Sequence, residues 1–404
     1  MKIVLAYSGG LDTSVMIKWL NENYHADVVA CIVDVGQPDE DLSKIYKKAL
    51  QTGAVKAYII DAKKEFVEKY IFQALKANAI YEGKYYLATA LARPLIAEKV
   101  IEIAKKEKAD AVSHGATGKG NDQVRFELTF KALLPSIKII APWREWELKS
   151  RQDELQYAKK HKIPVSVTAE KPYSSDANLW HISYEGGILE NPANAPDDKK
   201  GGMFQMTVSP ERAPNKPTII DIYFEKGVPV KINNQKYDSV KIIKKLNELG
   251  GKNGIGRCDL VENRLVGMKS RGVYECPAAV ILYTVHKEIE SLVLDRETSH
   301  FKEILAQRYS ELIYYGLWHS RLKESIDGFI NETQKNVCGS VKLKLYKGNC
   351  IVLGRSSPKS LYWEKLSTFE GGGEKNIYNQ KDAEGFINLF GLSQKVEAIL
   401  RNGK

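Results

Sequence analysis

Glycine, hydroxyl and acidic residues are concentrated in one short segment near the start of the chain, Ala6-Tyr7-Ser8-Gly9-Gly10-Leu11-Asp12-Thr13-Ser14. Two adjacent glycines permit a backbone geometry that side chains would block, and the free N–H groups of a following helix can then converge on an anion. Three hydroxyls add donors, and Asp12 either begins the helix or helps to hold Mg²⁺. The segment predicts a phosphate-binding loop, although it matches neither G-x-x-x-x-G-K-[ST] nor G-x-G-x-x-G.

A second glycine-rich segment, residues 115–125, repeats this arrangement with three glycines before a helix that we expect to start near Asn121. Asn121 and Arg125 are four residues apart and would share a helix face, so an amide and a guanidinium could reach one ligand. The fork of an arginine can bond both oxygens of a carboxylate. The spacing therefore indicates a carboxylate site, and an ordinary βα turn with a surface arginine remains the alternative.

The elements that position these segments follow from an alternation of short apolar runs with stretches of helical period over the first 165 residues. That alternation is typical of a parallel sheet covered by helices on both faces. We predict strands at Lys2–Tyr7, Val28–Val35, Ala57–Ile60, Ala109–Ser113 and Ile137–Ile140. We predict helices starting near Asp12 and at Asp39–Gln51, Lys63–Ala79, Leu87–Lys106, Asn121–Leu133 and Lys149–Lys160.

The composition changes in the rest of the chain. Asn191–Thr218 is rich in proline, which indicates irregular connecting chain. Further on we predict strands Ile219–Phe224 and Val228–Ile232, a helix Ser239–Leu249 that ends before Gly250, one or two helices within Pro277–Tyr315, and a hairpin of Val341–Leu345 with Cys350–Leu353. Gly371–Gly373 indicates a joint before an amphipathic C-terminal helix that carries Leu392, Val396, Ile399 and Leu400. So short a helix needs a surface to dock on, such as a neighbouring subunit.

The composition and the cysteine content exclude several classes of protein. The chain has 404 residues, is 43% hydrophobic, and carries five cysteines that are never spaced C-x-x-C. We therefore expect a reducing compartment, neither a disulfide framework nor a structural zinc site, and a cytoplasmic protein without a signal peptide or a membrane span. The net charge of +10 favours anionic partners of some kind.

The first loop, Ser8 to Ser14, resembles the pyrophosphate-binding loop of N-type ATP pyrophosphatases, which cleave ATP between the α and β phosphates. Several later blocks resemble argininosuccinate synthases, and they run in that family's order over nearly the whole chain: Ser113–Glu127, Ile140–Arg144, His181–Glu185, Val261–Arg264 and Gly267–Gly272. The resemblance implies an α/β nucleotide-binding domain with a parallel sheet (adenine nucleotide alpha-hydrolase-like) over residues 1–165, an α+β synthetase domain over 166–362, and a C-terminal oligomerisation arm over 363–404.

The same resemblance implies an ATP-dependent ligase of arginine biosynthesis, a homotetramer that joins L-citrulline and L-aspartate through citrullyl-AMP and releases AMP and pyrophosphate, with Mg²⁺ accompanying ATP. It implies an ATP site at Ala6, Tyr7, Ser8, Gly9, Gly10, Leu11, Asp12, Thr13, Ser14, Val33 (through its backbone) and Gly115. Aspartate would lie at Thr117, Asn121 and Asp122, and citrulline at Tyr85, Asn121, Arg125, Ser174, Ser183, Glu262 and Tyr274. Catalytic roles are expected for Asp12, Asp122 and Arg125, and no side chain is assigned as a resident metal ligand.

Two alternatives remain open at this point. A tRNA-thiolating ATP pyrophosphatase on the same fold would suit the positive charge, but it needs reactive cysteines, and the five here form no paired motif. A nucleotide-sensing or nucleic-acid-binding module would bind ATP without cleaving it. The ligase hypothesis requires neither nucleic acid nor a membrane as a partner.

Overall fold

The computed structural model describes residues 1–38, 41–148, 150–164, 173–196, 202–368 and 377–403. Met1–Lys359 forms one compact unit and Ser360–Lys404 forms a second. The predicted joint at Gly371–Gly373 lies outside the described residues, and so do the first residues of two predicted helices, Asp39 and Lys149.

A five-stranded parallel sheet forms the N-terminal part, with the strand order β3-β2-β1-β4-β5. Its strands are β1 (Lys2–Ala6), β2 (Asp27–Asp34), β3 (Lys56–Asp61), β4 (Ala111–Ser113) and β5 (Lys138–Ile140). The helices between and after them are α1 (Leu11–Tyr24), α2 (Leu42–Thr52), α3 (Lys63–Glu65), α4 (Phe72–Lys76), α5 (Ala88–Glu107), α6 (Asp122–Leu133) and α7 (Arg151–Lys160). The predicted α/β class with a parallel sheet is confirmed.

Alternate residues of the central strand explain why the sheet is buried on both faces. Val4 and Ala6 belong to the hydrophobic cluster that contains α5, whereas Ile3 and Leu5 belong to a second cluster that contains α1. Because successive side chains of a strand point to opposite faces, a continuous apolar run is what a doubly covered strand requires. The apolar residues of β1 therefore pack against α5 on one face of the sheet and against α1 on the other.

Strand order also determines where a crevice forms. β1 pairs in parallel with both β2 and β4, and Leu5 lies beside Ser113, so the loops after β1 and β4 leave the sheet at the same level. The chain after β1 leads to β2 on one side, and the chain after β4 leads to β5 on the other. Such a reversal at the carboxyl ends of parallel strands opens a crevice for ligands.

The second part contains two antiparallel sheets, ordered β10-β9-β8-β13-β14 and β11-β12-β7-β6. Its strands are β6 (Ser174–Ala177), β7 (Ile182–Glu185), β8 (Thr218–Glu225), β9 (Val228–Ile232), β10 (Gln235–Lys236), β11 (Arg257–Asn263), β12 (Lys269–Glu275), β13 (Gly339–Tyr346) and β14 (Asn349–Ser356). Its helices are α8 (Ser239–Lys252), α9 (Pro277–Val293), α10 (Arg296–Tyr314) and α11 (Arg321–Thr333). The predicted hairpin is confirmed, and the one or two helices expected within Pro277–Tyr315 are two, α9 and α10. The elements β6, β7, β10, β11, β12 and α11 had not been predicted.

Two predicted helices differ from the structure. The segment expected as one helix over Lys63–Ala79 contains a π-helical turn, Phe66–Ile71, between α3 and α4. The prediction that α8 ends before Gly250 is wrong, because the helix continues through Gly250 and Gly251. A Cβ on Gly251 would lie 2.0 Å from the Met206 carbonyl oxygen, so this glycine serves a close approach of two backbones rather than a helix stop.

The C-terminal unit contains α12 (Glu364–Ser367), α13 (Asp382–Phe390) and α14 (Leu392–Arg401), and α14 confirms the predicted terminal helix. Large apolar side chains of this unit are exposed, among them Leu389 at 77% and Phe390 at 78%. Across the described ranges, the helices are too short or too polar for any of them to cross a lipid bilayer.

The close approach at Gly251 predicts a specific loss of stability. Gly251→Ala should lower the free energy of unfolding by about 1–3 kcal/mol, because the added methyl group overlaps a main-chain carbonyl that cannot move freely. Gly328→Ala is the matched control. Gly328 lies in α11 with open space around it, so an alanine there should stabilise that helix by about 1 kcal/mol. Urea unfolding followed by circular dichroism measures both, and equal effects of the two variants would contradict the packing argument.

Candidate active site

The loop after β1 is held tightly at the start of α1. Gly9 has a φ of +78°, and a Cβ there would lie 2.9 Å from Cγ2 of Ile45. Gly10 is the N-cap residue of α1 and has no side chain to occupy the first N–H groups of the helix. The Lys48 ammonium donates a hydrogen bond to the Gly9 carbonyl oxygen at 2.7 Å. The loop therefore brings free helical N–H groups and a lysine close together, as anion binding requires.

The three hydroxyls of this loop have different positions. Ser8 Oγ and Thr13 Oγ1 lie 3.1 Å apart, and both residues line a cavity of about 720 Å³. Ser14 is fully buried, and its hydroxyl donates to the Gly10 carbonyl oxygen at 2.6 Å and lies 3.0 Å from the Tyr7 hydroxyl. Ser14 thus supports the loop, whereas Ser8 and Thr13 remain available to a ligand.

Most of the residues expected at the ATP site line this first cavity. They are Ala6, Tyr7, Ser8, Gly9, Gly10, Asp12, Thr13, Val33 and Gly115. Leu11 and Ser14 are not among the lining residues, and Leu11 packs against the apolar cluster around α1.

The loop after β4 lies directly against the first loop. A Cβ on Gly115 would lie 2.8 Å from Cγ2 of Thr13, so any side chain at this position would force the loops apart. His114 is buried, and its Nδ1 accepts a hydrogen bond from the Ala116 N–H at 3.2 Å. Its Nε2 lies 3.2 Å from Oε1 of Glu127, which leaves His114 with a structural role as the support of this loop.

A second cavity of about 380 Å³ adjoins the first, and seven residues line both: Asp12, Arg93, Gly115, Ala116, Asp122, Ser175 and Asp176. Every residue expected to contact citrulline or aspartate lines this second cavity: Tyr85, Thr117, Asn121, Asp122, Arg125, Ser174, Ser183, Glu262 and Tyr274. These residues are separated by up to 189 positions in sequence.

One sheet supplies much of this wall. In the antiparallel sheet, Ser174 pairs with Glu185, Asp176 with Ser183, and Ser183 with Tyr274. Paired residues lie on the same face, and so do residues two positions apart along a strand, so all of these side chains point to one side of the sheet. A Cβ on Gly272, two residues before Tyr274, would lie 2.2 Å from the tyrosine hydroxyl, which explains the glycine at this position.

Asp122 lies between two arginines. Arg93 Nε donates to its Oδ2 and Arg125 Nη1 donates to its Oδ1, each at 2.8 Å. Burial alone would raise the pKa of Asp122, but the charges of the two guanidinium groups outweigh it and hold this pKa below its usual value. The carboxylate therefore stays ionised inside the cavity and keeps free lone pairs for a cationic ligand group.

Arg125 has further anchors of its own. Its Nε donates to the Tyr314 carbonyl oxygen at 3.0 Å, and its guanidinium carbon lies 4.9 Å from the centre of the Tyr314 ring. Asn121, the N-cap residue of α6, accepts a hydrogen bond on Oδ1 from the Leu265 N–H at 3.0 Å. Both side chains line the same cavity, so the expected pairing of an amide with a guanidinium agrees with this geometry.

Glu262 and two tyrosines form the far end of the cavity. The Tyr274 hydroxyl donates to Glu262 Oε2 at 3.2 Å, and the rings of Tyr85 and Tyr274 stack with centres 4.7 Å apart. Burial raises the pKa of Glu262, although the charge of Arg125 opposes this effect. This end of the cavity therefore has a carboxyl group that can accept hydrogen bonds, two tyrosine hydroxyls, and the stacked tyrosine rings as an aromatic surface.

Sequence reasoning missed several polar residues of this cavity: Thr89, Arg93, Asp176, Glu185 and Arg264. Glu185 and Arg264 belong to blocks that carry the family resemblance, and their side chains pair with 2.6 Å between Oε2 and Nη2. Desolvation raises the pKa of Glu185 to about 7. Thr89 and Arg93 are four residues apart on α5, and this helical spacing of polar residues in an alanine-rich helix was the available signal.

Asp12 has an acidic neighbour that was also missed. Glu154 of α7 is only 2% exposed, and burial together with the nearby charge of Asp12 raises its pKa to about 8. Burial raises the pKa of Asp12 as well, while a hydrogen bond from Glu154 lowers it. Glu154 therefore keeps its proton at neutral pH, beside Asp12.

Comparison with known proteins identifies the family. The model described as "Arginosuccinate synthase N-terminal HUP domain" matches residues 2–164, and the model described as "Arginosuccinate synthase C-terminal domain" matches residues 173–397. The argininosuccinate synthase of Endomicrobium trichonymphae is 63% identical over 100% of this chain and 96% of its own length. That of Caldanaerobacter subterraneus subsp. tengcongensis is 62% identical over 100% of this chain and 97% of its own length.

The chain belongs to the argininosuccinate synthase family. It is an ATP-dependent ligase of arginine biosynthesis, with citrulline, aspartate and ATP as its substrates. The expectation of this function is confirmed, and the alternatives of a tRNA-thiolating enzyme and of a nucleic-acid-binding module are set aside. Among solved structures, the U34-tRNA thiolase NcsA from Methanococcus maripaludis has a TM-score of only 0.28 at 19% identity, over 43% of this chain and 60% of that chain.

The buried carboxyl of Glu154 predicts how the stability of the protein depends on pH without nucleotide. Folded Glu154 keeps its proton up to about pH 8, whereas the unfolded chain releases it near pH 4.5, so stability falls as the pH rises between these values. Glu154→Gln cannot ionise and should lose less stability between pH 6 and about pH 9. Thermal unfolding at several pH values measures this, and parallel curves for wild type and variant would refute the assignment.

Proposed function

We propose that the two adjoining cavities hold the substrates of one ligation, with ATP in the first and both amino acids in the second. The observation that supports this most directly is that residues expected to contact citrulline and aspartate line one cavity, which shares part of its wall with the phosphate loop. The reacting atoms would meet at the shared residues, close to Gly115 and Asp122.

The first half-reaction takes place where the cavities meet. The ureido oxygen of citrulline attacks the α-phosphorus of ATP, the bond from that phosphorus to the bridging oxygen breaks, and pyrophosphate leaves with the electron pair. Free N–H groups at the start of α1, the hydroxyls of Ser8 and Thr13, and nearby Lys48 are suited to the departing charge. The residues thus act mainly by positioning and charge neutralisation.

The second half-reaction needs the amine of aspartate beside the activated carbon. The α-ammonium of aspartate first releases one proton to become the amine. The amine attacks the ureido carbon of citrullyl-AMP, the carbon–oxygen bond to the phosphate breaks, and AMP leaves with the electron pair. We place the α-ammonium of aspartate on Asp122 and its carboxylates near Thr117 and Asn121, and the α-carboxylate of citrulline on Arg125. Ser174, Ser183, Glu262, Tyr85 and Tyr274 complete the citrulline site.

Mg²⁺ is expected to accompany ATP, and its chemistry is to offset the charge of the polyphosphate. In such sites the ion keeps several waters and takes one or two carboxylates together with substrate phosphates. Asp12 fits this requirement because its carboxylate lines both cavities at the start of α1. Clusters of three or more side chains suited to a resident metal ion are not found in the described part of the chain.

The proposed citrulline contact predicts the effect of one substitution. Arg125→Gln should lower kcat/KM for citrulline about a hundredfold, since it removes charge-assisted hydrogen bonds to a carboxylate in a buried cavity. Arg355→Gln is the matched control, because that arginine pairs with Glu288 outside both cavities and is half-exposed. Release of AMP and pyrophosphate, measured with each amino acid varied in turn, reports the effect.

The reaction assay also tests the substrate assignment. Continuous release of AMP and pyrophosphate should require citrulline and aspartate together. Sustained release when glutamine or ammonia replaces citrulline would refute the proposed function.

We further propose that the enzyme is a cytoplasmic homotetramer in which the C-terminal arm docks on a second copy of the chain. Supporting this, α13 and α14 expose large apolar side chains that single short helices cannot keep in water without a partner surface. All five cysteines are free thiols, which suits a reducing compartment.

Removal of the arm should therefore weaken assembly. A variant lacking residues 375–404, and a full-length variant with Leu389→Glu and Phe390→Glu, should both have a lower mass in light scattering, because the apolar contact is lost. Glu397→Gln, an exposed polar change in α14, should keep the assembled mass. An unchanged tetramer after the deletion would contradict the docking role.

A further inference from the structure

Arg93 occupies a central place in the site, although no substrate contact has been assigned to it. It lines both cavities, and it lies on α5, at the boundary between the nucleotide loop and the amino-acid cavity. Its side chain is 18% exposed. A cation at this position must have a partner or a ligand, since an unpaired buried charge is costly.

The guanidinium of Arg93 joins two carboxylates from different parts of the chain. Its Nε donates to Asp122 Oδ2 at 2.8 Å, and its Nη2 donates to Asp176 Oδ2 at 2.5 Å. Asp122 begins α6, whereas Asp176 lies on β6, in the same strand as Ser174. Arg93 therefore connects the region matched by the N-terminal family model to the region matched by the C-terminal one.

Asp176 is held in turn by a neighbour of Arg93. The hydroxyl of Thr89 donates to Asp176 Oδ2 at 3.2 Å, and the same hydroxyl lies 2.9 Å from Nε2 of His181. His181 is buried, and burial lowers its pKa to about 3, so the imidazole is neutral and adds no charge to the group. Asp176 is thus a fixed anchor for the second arm of the guanidinium.

The two arginines on Asp122 differ in what holds them. Arg125 has an independent anchor, because its Nε donates to the Tyr314 carbonyl oxygen and its guanidinium stacks over the Tyr314 ring. The hydrogen bonds of Arg93 go to carboxylates, and one of them fixes Oδ2 of Asp122. Loss of Arg93 would therefore release one oxygen of Asp122 and leave Asp122 and Asp176 without their shared cation, while Arg125 stays in place.

We propose that Arg93 is a positioning residue for the second half-reaction: it holds the carboxylate of Asp122 in the orientation that receives the α-ammonium of aspartate, with Asp176 as its anchor. The inference rests on the aspartate site proposed above. A planar fork can bond two carboxylates at fixed angles, which a lysine ammonium cannot reproduce. The geometry thus assigns Arg93 to the step that uses aspartate and not to the adenylation of citrulline.

The two half-reactions can be measured apart. Citrulline-dependent exchange of labelled pyrophosphate into ATP, without aspartate, reports adenylation, and AMP release at varied aspartate concentration reports the second step. Arg93→Gln should keep the exchange rate of the wild type and raise the KM for aspartate about tenfold to a hundredfold, as expected for loss of a charge-assisted hydrogen bond. The KM of Arg93→Lys for aspartate should lie between the values of the wild type and Arg93→Gln. Asp176→Asn should also raise the KM for aspartate.

Several controls make the result decisive. The exchange rate itself reports whether each variant is folded, and Arg355→Gln should match the wild type in both measurements. If exchange falls as far as aspartate-dependent turnover in both Arg93 variants, or if the KM for aspartate does not change, the inference is overturned. Asp122→Asn separates the two proposals. An unchanged KM for aspartate in that variant would refute the aspartate site. A raised KM for aspartate in Asp122→Asn, together with an unchanged KM in Arg93→Gln, would refute the role of Arg93 alone.

Discussion

The parallel pairing of β1 with β4 is the constraint on which the rest of the site depends. Because Leu5 lies beside Ser113, the phosphate loop and the second glycine-rich loop leave the sheet together, and Gly115 allows the second loop to pack against Thr13. Each loop then leads into the N-terminus of a helix, α1 or α6, so two sets of helical N–H groups lie at one edge of the sheet. A strand order in which β1 and β4 were not neighbours would separate the anion-binding loop from Asn121 and Asp122.

The antiparallel sheet β11-β12-β7-β6 supplies what the parallel sheet cannot, a flat polar wall opposite the two loops. Its pairing places Ser174, Ser183 and Tyr274 on one face together with two acids, and hydrogen bonds through Arg93 join that face to α5 and α6. The loops can position phosphates through the backbone, whereas two amino acids with ammonium and carboxylate groups need side chains of both charges. The site is therefore formed where the two kinds of sheet meet.

Local patterns were enough to predict the parallel sheet and both glycine-rich loops, because continuous apolar strands and helical periods are properties of short segments. β6 has the sequence Ser-Ser-Asp-Ala and shows no apolar alternation, since its polar residues face the cavity. The continuation of α8 through Gly250 and Gly251 depends on backbone packing against distant residues, which no local rule contains. Arg93 was missed for a similar reason: its partners lie 29 and 83 positions away.

The net positive charge of the whole chain is not found at the site. The amino-acid cavity is lined by Asp12, Asp122, Asp176, Glu185 and Glu262 against Arg93, Arg125 and Arg264, so the surplus of ten positive charges does not lie here. Burial raises the pKa of Asp12, Glu185 and Glu262, which favours their neutral forms, whereas the two arginines keep Asp122 ionised. Asp122, which is ionised and held by both guanidinium groups, is thus the carboxylate suited to orient a single ammonium group beside the activated carbon.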